Sequence, residues 1–193
     1  MRPFKRRKRG GVYAVFEAAE AHLLVNLLGQ LVELLRDRNG EDESAPDPLF
    51  AQLGMGGSHV PPDDPVLQRL LPDGYTDDLD ASGDFRRYTE RALSETKVAN
   101  ARTVIASLLE GGLDPADVET NDAKVEVELD AAAVQAWLRS LTDIRLSVAV
   151  RLGIESDEDL VAVADSDDET VVVMSDIYDW LGYVQETLVQ SLG

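Results

Sequence analysis

The feature that most constrains the fold is a run of leucines at helical spacing near the start of the chain. The run consists of Leu24, Leu27, Leu28, Leu31 and Leu35. Intervals of three and four residues place these side chains on one face of an α-helix. Acidic residues precede the run and arginines follow it, as the helix dipole favours. The pattern predicts a long, largely buried helix over residues 17–38 that stops at Asn39-Gly40.

Three further stretches repeat this spacing. They predict helices over residues 84–110, over residues 130–152 and after Asp176. Two shorter helices are indicated by their caps, one over residues 64–72 with proline at its first position and one after Ser156 with a capping box. The predicted fold class is therefore mainly α, with a bundle-like core of about four main helices.

A small sheet is predicted beside these helices. Residues 124–129 alternate strictly between polar and apolar, which is typical of a half-buried strand. Residues 4–8 and 12–16 flank a Gly10-Gly11 turn and predict an N-terminal hairpin. Together they would form a three-stranded sheet; a disordered basic tail is the alternative for the hairpin.

We expect one domain over residues 1–193, with a basic arm or hairpin at 1–16 and an acidic loop region at 39–83. The loop region holds six of the eight prolines, ten acidic residues and one arginine. Such a composition favours linker over packed structure. Residues 48–53 and 64–72 are the two stretches in it that we expect to be ordered.

Charge divides the chain unequally. It has 18 Lys and Arg residues against 37 Asp and Glu, a net charge of −19. Six of the basic residues and none of the acidic ones lie in residues 1–10, which leaves −25 for residues 11–193. Most of the surface should therefore repel nucleic acid and anionic membranes. The acidic clusters are either solvated faces or a docking surface for a basic protein.

The chain has no cysteine, which excludes disulfides, thiolate metal sites and a cysteine nucleophile. No apolar run approaches 18 residues, and five apolar residues after the basic start are too few for a signal peptide. We therefore predict a cytoplasmic protein without a transmembrane helix.

Residues of catalytic type are scarce. The two histidines, His22 and His59, have no partners spaced as a triad or a metal site, and the glycine-rich residues 53–58 lack the lysine of a phosphate-binding loop. We predict no cofactor, no metal and no enzymatic activity; an enzyme of unknown chemistry is the more distant alternative.

The basic arm is the candidate nucleic-acid-binding site. Its basic residues are Arg2, Lys5, Arg6, Arg7, Lys8 and Arg9. Several of them would neutralise DNA phosphates and make the affinity depend on salt. The alternative is an edge strand that its charges keep soluble.

Arg145 lies within the apolar stripe of the third long helix, four residues after Leu141. A buried guanidinium needs a partner, so we predict a structural ion pair with a carboxylate. Candidate partners are Glu90 and Glu95, then Asp176 and Asp179, with Asp143 too close in sequence to face it well. An anion or ligand site is the alternative.

Several stretches together resemble one known family. They are the basic start 4–8, residues 20–35, Asp64-Pro65 with residues 69–75, residues 84–90 with Lys97, residues 137–146, residues 151–153 and residues 177–181 with residues 184–186. In their order they are similar to the AosR-like family of actinobacterial proteins, and the resemblance spans nearly the whole chain.

The resemblance implies a regulator of transcription under oxidative stress that senses oxidants through a cysteine pair and acts with an alternative sigma factor. The missing cysteines prevent the sensing role from being carried over to this chain. We therefore expect a non-enzymatic regulator that contacts a sigma factor, RNA polymerase or another basic protein, with DNA contact by the arm. The alternative is an acidic adaptor module that does not bind DNA.

Overall fold

The structure is a computed structural model that describes residues 1–7, 10–41, 58–114 and 123–193. Three strands are present in these ranges, β1 (Arg2–Arg6), β2 (Val12–Glu17) and β3 (Lys124–Leu129). The helices are α1 (Ala18–Glu41), α2 (Pro65–Leu70), α3 (Leu79–Glu110), α4 (Ala131–Leu152), α5 (Asp157–Ala164) and α6 (Glu169–Gln190). The predicted class is confirmed: α1, α3, α4 and α6 are four long helices beside a small antiparallel sheet.

The sheet has the order β1-β2-β3, with both pairings antiparallel. β2 and β3 pair without a break from Val12 opposite Leu129 to Glu17 opposite Lys124, whereas the β1–β2 register shifts between Arg2 and Lys5. Every second residue of β3 is buried, as its alternation predicts. The hairpin is present, but its first strand covers residues 2–6 rather than 4–8, and Lys8 and Arg9 lie outside the described residues.

The turn of the hairpin requires its second glycine. Gly10 and Gly11 have φ values of +92° and +76°, a conformation that glycine adopts without steric cost. A Cβ at Gly11 would lie 2.6 Å from the carbonyl oxygen of Leu129. The turn therefore brings β2 close to the end of β3.

Three aromatic rings join the sheet to α4. Phe16 stacks on Trp137 with 5.7 Å between ring centroids, and Phe4 meets both rings edge-on at 6.0 and 5.6 Å. All three rings are buried, and the indole Nε1 of Trp137 donates to Ser107 Oγ at 2.9 Å. Phe4 thus anchors the basic strand β1 to the core by one apolar side chain.

The leucine stripe of α1 is buried as predicted, with Leu24, Leu28 and Leu35 fully inaccessible. By length and hydropathy α1 would also suit a membrane span; a central core helix has the same properties, and here the stripe packs against the core. The helix continues through Gly40 to Glu41, beyond the predicted stop. Asn39 is held by a 3.1 Å bond from its amide to Ser94 Oγ of α3.

Two long helices begin earlier than their apolar spacing predicts. α3 starts at Leu79 rather than near residue 84, because the Asp78 carboxylate accepts from the backbone N–H of Ala81. α6 starts at Glu169 rather than after Asp176, because Asp168 caps the N–H groups of Thr170 and Val171. In both cases an upstream aspartate is the cap that the structure uses.

Part of the predicted loop region 39–83 is ordered and packed. Asp64 caps α2 through the N–H of Val66 at 2.7 Å, and the apolar residues of this segment, Val66, Leu67, Leu70 and Leu71, are buried in the core. The predicted island 48–53 and the glycine-rich stretch up to residue 57 lie outside the described residues. The capping box before α5 is present on Ser156 and Asp159.

Candidate functional site

The basic arm is an exposed edge strand. Arg2, Lys5, Arg6 and Arg7 are all exposed, while Phe4 between them is buried. β1 pairs with β2 on one side only, so its other backbone edge is unpaired by any strand in the described part of the chain. Edge strands rich in Lys and Arg resist pairing with other chains. The same side chains also present positive charge at fixed positions along the strand.

The outer face of the sheet changes sign from one edge to the other. Lys5 on β1 lies opposite Tyr13, which lies opposite Glu128 on β3. Directly opposed residues share one face of an antiparallel sheet. Arg7 forms an ion pair with the Glu128 carboxylate. The acids of β3 therefore offset part of the charge of the arm, and Arg2, Lys5 and Arg6 have no such partner within 4 Å among the described residues.

Two of the three arginines in the first half of α3 form ion pairs within the protein. Arg86 is only 5% exposed and forms ion pairs with Asp73 and Glu90. Arg91 pairs with Glu95, four residues on, at 3.1 Å. The charges of Arg86 and Arg91 are therefore compensated within the protein; the third arginine there, Arg87, has its guanidinium carbon 5.9 Å from the centre of the Tyr88 ring.

A buried charge cluster joins α1, α3 and the segment before α2. Glu90 is 4% exposed; Arg38 Nε of α1 donates to its Oε1 at 2.8 Å, and Arg86 Nε lies 3.4 Å from its Oε2. The two guanidinium groups also donate to the backbone carbonyls of His59 at 2.9 Å and Val60 at 2.6 Å. One carboxylate thus holds two arginines, and these hold the chain that leads into α2.

Arg145 has partners other than those the sequence predicts. Its Nη1 donates to Gln185 Oε1 at 2.8 Å, and its guanidinium carbon lies 5.0 Å from the centre of the Tyr178 ring. The candidate carboxylates are Glu90, Glu95, Asp143, Asp176 and Asp179, and none of them lies within ion-pair distance of it. Arg145 is only half-buried, so it stays partly hydrated and needs no carboxylate. Gly182 of α6 lies beside it, where an added Cβ would be 3.5 Å from the guanidinium, an ordinary contact distance.

The sequence analysis missed the ion pair between Lys97 of α3 and Asp143 of α4. The Lys97 Nζ lies 2.6 Å from the Asp143 Oδ1, and the Asp143 side chain is 7% exposed. Burial raises the pKa of the Asp143 carboxyl, while the hydrogen bond and charge of Lys97 lower it. The only signal in the sequence was a single lysine among the arginines of α3, which does not identify its partner.

The described residues offer binding surfaces rather than a constellation of reactive groups. In the ranges that the structure covers, no group of three or more His, Cys, Asp or Glu side chains is placed to hold a metal ion. His59 is exposed, with Nε2 3.9 Å from an oxygen of Asp84, and His22 lies in α1. What the arrangement supplies is a basic strand at one edge and acidic and apolar helix surfaces elsewhere.

The sequence matches the DUF2017 family, a domain of unknown function, over residues 1–192, and the chain belongs to that family. Relatives with a more specific description are mycobacterial. The chain is 33% identical over 182 residues to the putative oxidative stress regulator AosR of Mycobacterium leprae (strain TN) and 35% identical over 186 residues to the oxidative stress regulator AosR of Mycobacterium tuberculosis (strain ATCC 25618 / H37Rv). Each alignment covers 90% of this chain and 78% of the relative. No solved structure matches the chain.

Proposed function

We propose that this protein is a non-enzymatic cytoplasmic regulator that acts on transcription by binding a protein of the transcription machinery, such as a sigma factor or RNA polymerase. The support is its similarity over 90% of its length to proteins described as oxidative stress regulators. The absence of cysteine means that any thiol that senses oxidants must belong to a partner.

The proposal includes a DNA contact by β1. The observation that carries it is the row of exposed basic residues on an edge strand whose one buried side chain, Phe4, fixes it to the core. Such a strand lies along a phosphate backbone without reading bases, because the contact is electrostatic. It would position a complex whose sequence specificity comes from the partner.

The experiment compares the intact protein with a variant in which Arg2, Lys5 and Arg6 are all glutamine. The control variant replaces Arg36, Arg102 and Arg139, three exposed arginines outside the sheet, so that both proteins lose the same charge. We expect only the arm variant to lose DNA binding. The slope of log affinity against log salt should decrease by about 0.9 for each phosphate contact removed. Equal losses in both variants would contradict a role for the arm.

A second candidate function is an acidic adaptor that binds a protein partner and never DNA. The observation that favours it is the compensation of positive charge by Glu128 at the arm and by Glu90 and Glu95 along α3. The net charge of −19 points the same way. Under this alternative the intact protein does not retain DNA even at about 50 mM salt, where electrostatic binding is strong.

A further inference from the structure

The apolar stripe of α6 is longer than the core that covers it. It runs through Val173, Ile177, Leu181, Val184 and Leu188 at intervals of three and four residues. Leu181, Val184 and Leu188 are fully buried and Ile177 is half-buried, but Val173 is 57% exposed. The N-terminal end of the stripe therefore emerges into solvent.

A groove of about 400 Å³ lies where the stripe emerges, between α1, α4 and α6. Its apolar lining includes Leu27 and Leu34 of α1, Val148 of α4 and Met174 of α6. Leu27, Leu34 and Met174 are half-buried, so their remaining surface faces the groove or solvent. Met174 precedes Ile177 and Leu181 by three and seven residues, so it extends the same apolar stripe into the groove.

The surroundings of the groove are acidic. Glu33 and Asp37 line it from α1, and both are exposed. Among the described residues, Arg151 is the one basic residue in its lining, and its Nη2 lies 3.0 Å from an oxygen of Asp64, so its charge is offset. The sequence of residues 152–193, which includes all of α5 and α6, contains eleven acidic residues and no Lys, Arg or His.

We propose that this groove binds an amphipathic helix of a partner protein, with an apolar stripe flanked by Lys and Arg. The apolar side chains would fill the groove in the way that helices dock between helices, and the flanking cations would contact Glu33 and Asp37. A second copy of this chain is a poor occupant, because a two-fold contact would bring the acidic C-terminal segment against itself. The inference rests on the proposed function, since it identifies where the regulator meets its protein partner.

The probe is a fluorescein-labelled peptide of about 18 residues, long enough for a helix once bound. It has leucines at helical spacing and lysines on the flanks. One control peptide has glutamates in place of the lysines, and another has the same composition in an order that forms no stripe. We expect the intact protein to bind the first peptide and neither control in fluorescence anisotropy.

Met174→Lys places a cation in the lining of the groove. Its control is Val189→Lys, on the same helix and outside the groove lining. We expect the first substitution to weaken peptide binding about tenfold or more and the second to change it less than about twofold, as for residues inside and outside a binding hot spot. Melting curves should show both variants folded. Met174→Gln repeats the test without a new charge should Met174→Lys fail to fold.

The contribution of Glu33 and Asp37 to peptide binding is tested separately. The pair Glu33→Gln and Asp37→Asn should reduce the salt dependence of peptide binding, because two of its ionic contacts are lost. The control pair, Glu110→Gln and Glu126→Gln, removes the same charge from exposed positions outside the groove and should leave the salt dependence as it is.

Three results would contradict the proposal that the groove binds a basic amphipathic helix of a partner protein. They are equal effects of Met174→Lys and Val189→Lys, binding of the scrambled peptide as tight as that of the stripe peptide, and a dimer in sedimentation that Met174→Lys dissociates. The last would make a second copy the occupant.

RNA polymerase holoenzyme separates this inference from the proposed function. If the intact chain binds the peptide with the expected variant pattern but does not bind holoenzyme, the groove is supported and the transcription role fails. If it binds holoenzyme and Met174→Lys does not weaken that complex, the groove is overturned and the transcription role stands.

Discussion

The contacts that α3 makes with its neighbours differ in kind from the contact between α4 and α6. α3 is joined to α1 by the buried Arg38–Glu90–Arg86 cluster and to α4 by the Lys97–Asp143 pair. Between α4 and α6 the polar contacts involve the neutral amide of Gln185, which accepts a hydrogen bond from Arg145 and donates one to Thr142. Buried charges must all be matched, so they fix one arrangement of α3. A half-exposed contact with a neutral amide tolerates the loss of either partner at lower cost.

The largest expected effect is at Glu90. Glu90→Gln removes the carboxylate that two buried guanidinium groups share, and we expect the free energy of unfolding to decrease by about 3–5 kcal/mol, the usual cost of breaking a buried pair. The control is Glu95→Gln, whose exposed pair with Arg91 should be worth about 0.3–0.5 kcal/mol. Urea unfolding measures both. A loss below about 1 kcal/mol for Glu90→Gln would show that this cluster is not a structural constraint.

The Lys97–Asp143 pair should give a smaller effect that depends on pH. Lys97→Met leaves the Asp143 carboxylate buried without its cation, and we expect a loss of about 3 kcal/mol at pH 7. Because the pKa of Asp143 is already raised by burial and removal of Lys97 raises it further, the orphan carboxyl takes up a proton as the pH falls. The deficit should therefore shrink on acidification towards the ordinary aspartate value of 3.8 and grow as the pH rises through the raised pKa.

The double variant Lys97→Met with Asp143→Asn supplies the control for that pH dependence. It has no carboxyl at position 143 to protonate, so its stability relative to the intact protein should not recover in the same way at low pH. Thermal unfolding from pH 4 to pH 7 measures the three proteins together. A deficit of Lys97→Met that is constant over this range would contradict the buried-carboxylate explanation.

Substitution of Arg145 should lower the free energy of unfolding less than substitution of Glu90 or Lys97. Arg145→Met loses one hydrogen bond and the contact with the Tyr178 ring, both at a half-buried position, and we expect a loss of about 1 kcal/mol or less. Gln185→Glu supplies the carboxylate that the sequence analysis predicted and should change stability by no more than about 1 kcal/mol, the usual value of an exposed pair. Losses near those of Glu90→Gln would show that Arg145 belongs with the buried clusters.

Thiol chemistry should have no effect at all. The chain has no cysteine, so treatment with diamide or dithiothreitol should leave its stability and its affinities for DNA and peptide unchanged. Binding titrations under both conditions measure this. A reversible change with the purified chain alone would contradict it, whereas a change seen only in the presence of a partner assigns the reactive thiol to that partner.

Local patterns in the sequence predicted the elements better than their ends. The alternation of Lys124–Leu129 and the leucine stripe of α1 each depend on neighbouring residues, and the structure has both. The starts of α3 and α6 were placed too late, since Asp84 and Asp176 stand before apolar residues and are suitable caps, whereas the structure uses the earlier Asp78 and Asp168. The apolar spacing does not determine which of two suitable aspartates caps the helix.

Local sequence patterns did not predict which residues form ion pairs with one another. Glu90 was a candidate for Arg145, yet it lies with Arg38 and Arg86, because α3 packs against α1 along this part of its length. Which face of α3 meets which neighbour depends on the packing of the whole chain, and several acids satisfy the same spacing. The basic arm was readily identified because its six residues are contiguous, but its offset by Glu128 depends on the distant strand β3.

The pairing of β2 with β3 determines when the basic strand becomes ordered. Glu17 and Lys124 are directly opposed, although α1, α2 and α3 all lie between them in the chain. Closing so long a loop is slow, and a two-stranded hairpin by itself is marginal in water. During synthesis the β1–β2 hairpin therefore gains its third strand only after more than half of the protein has emerged. A fixed row of cations at this edge is a property of the finished fold, absent from the nascent chain.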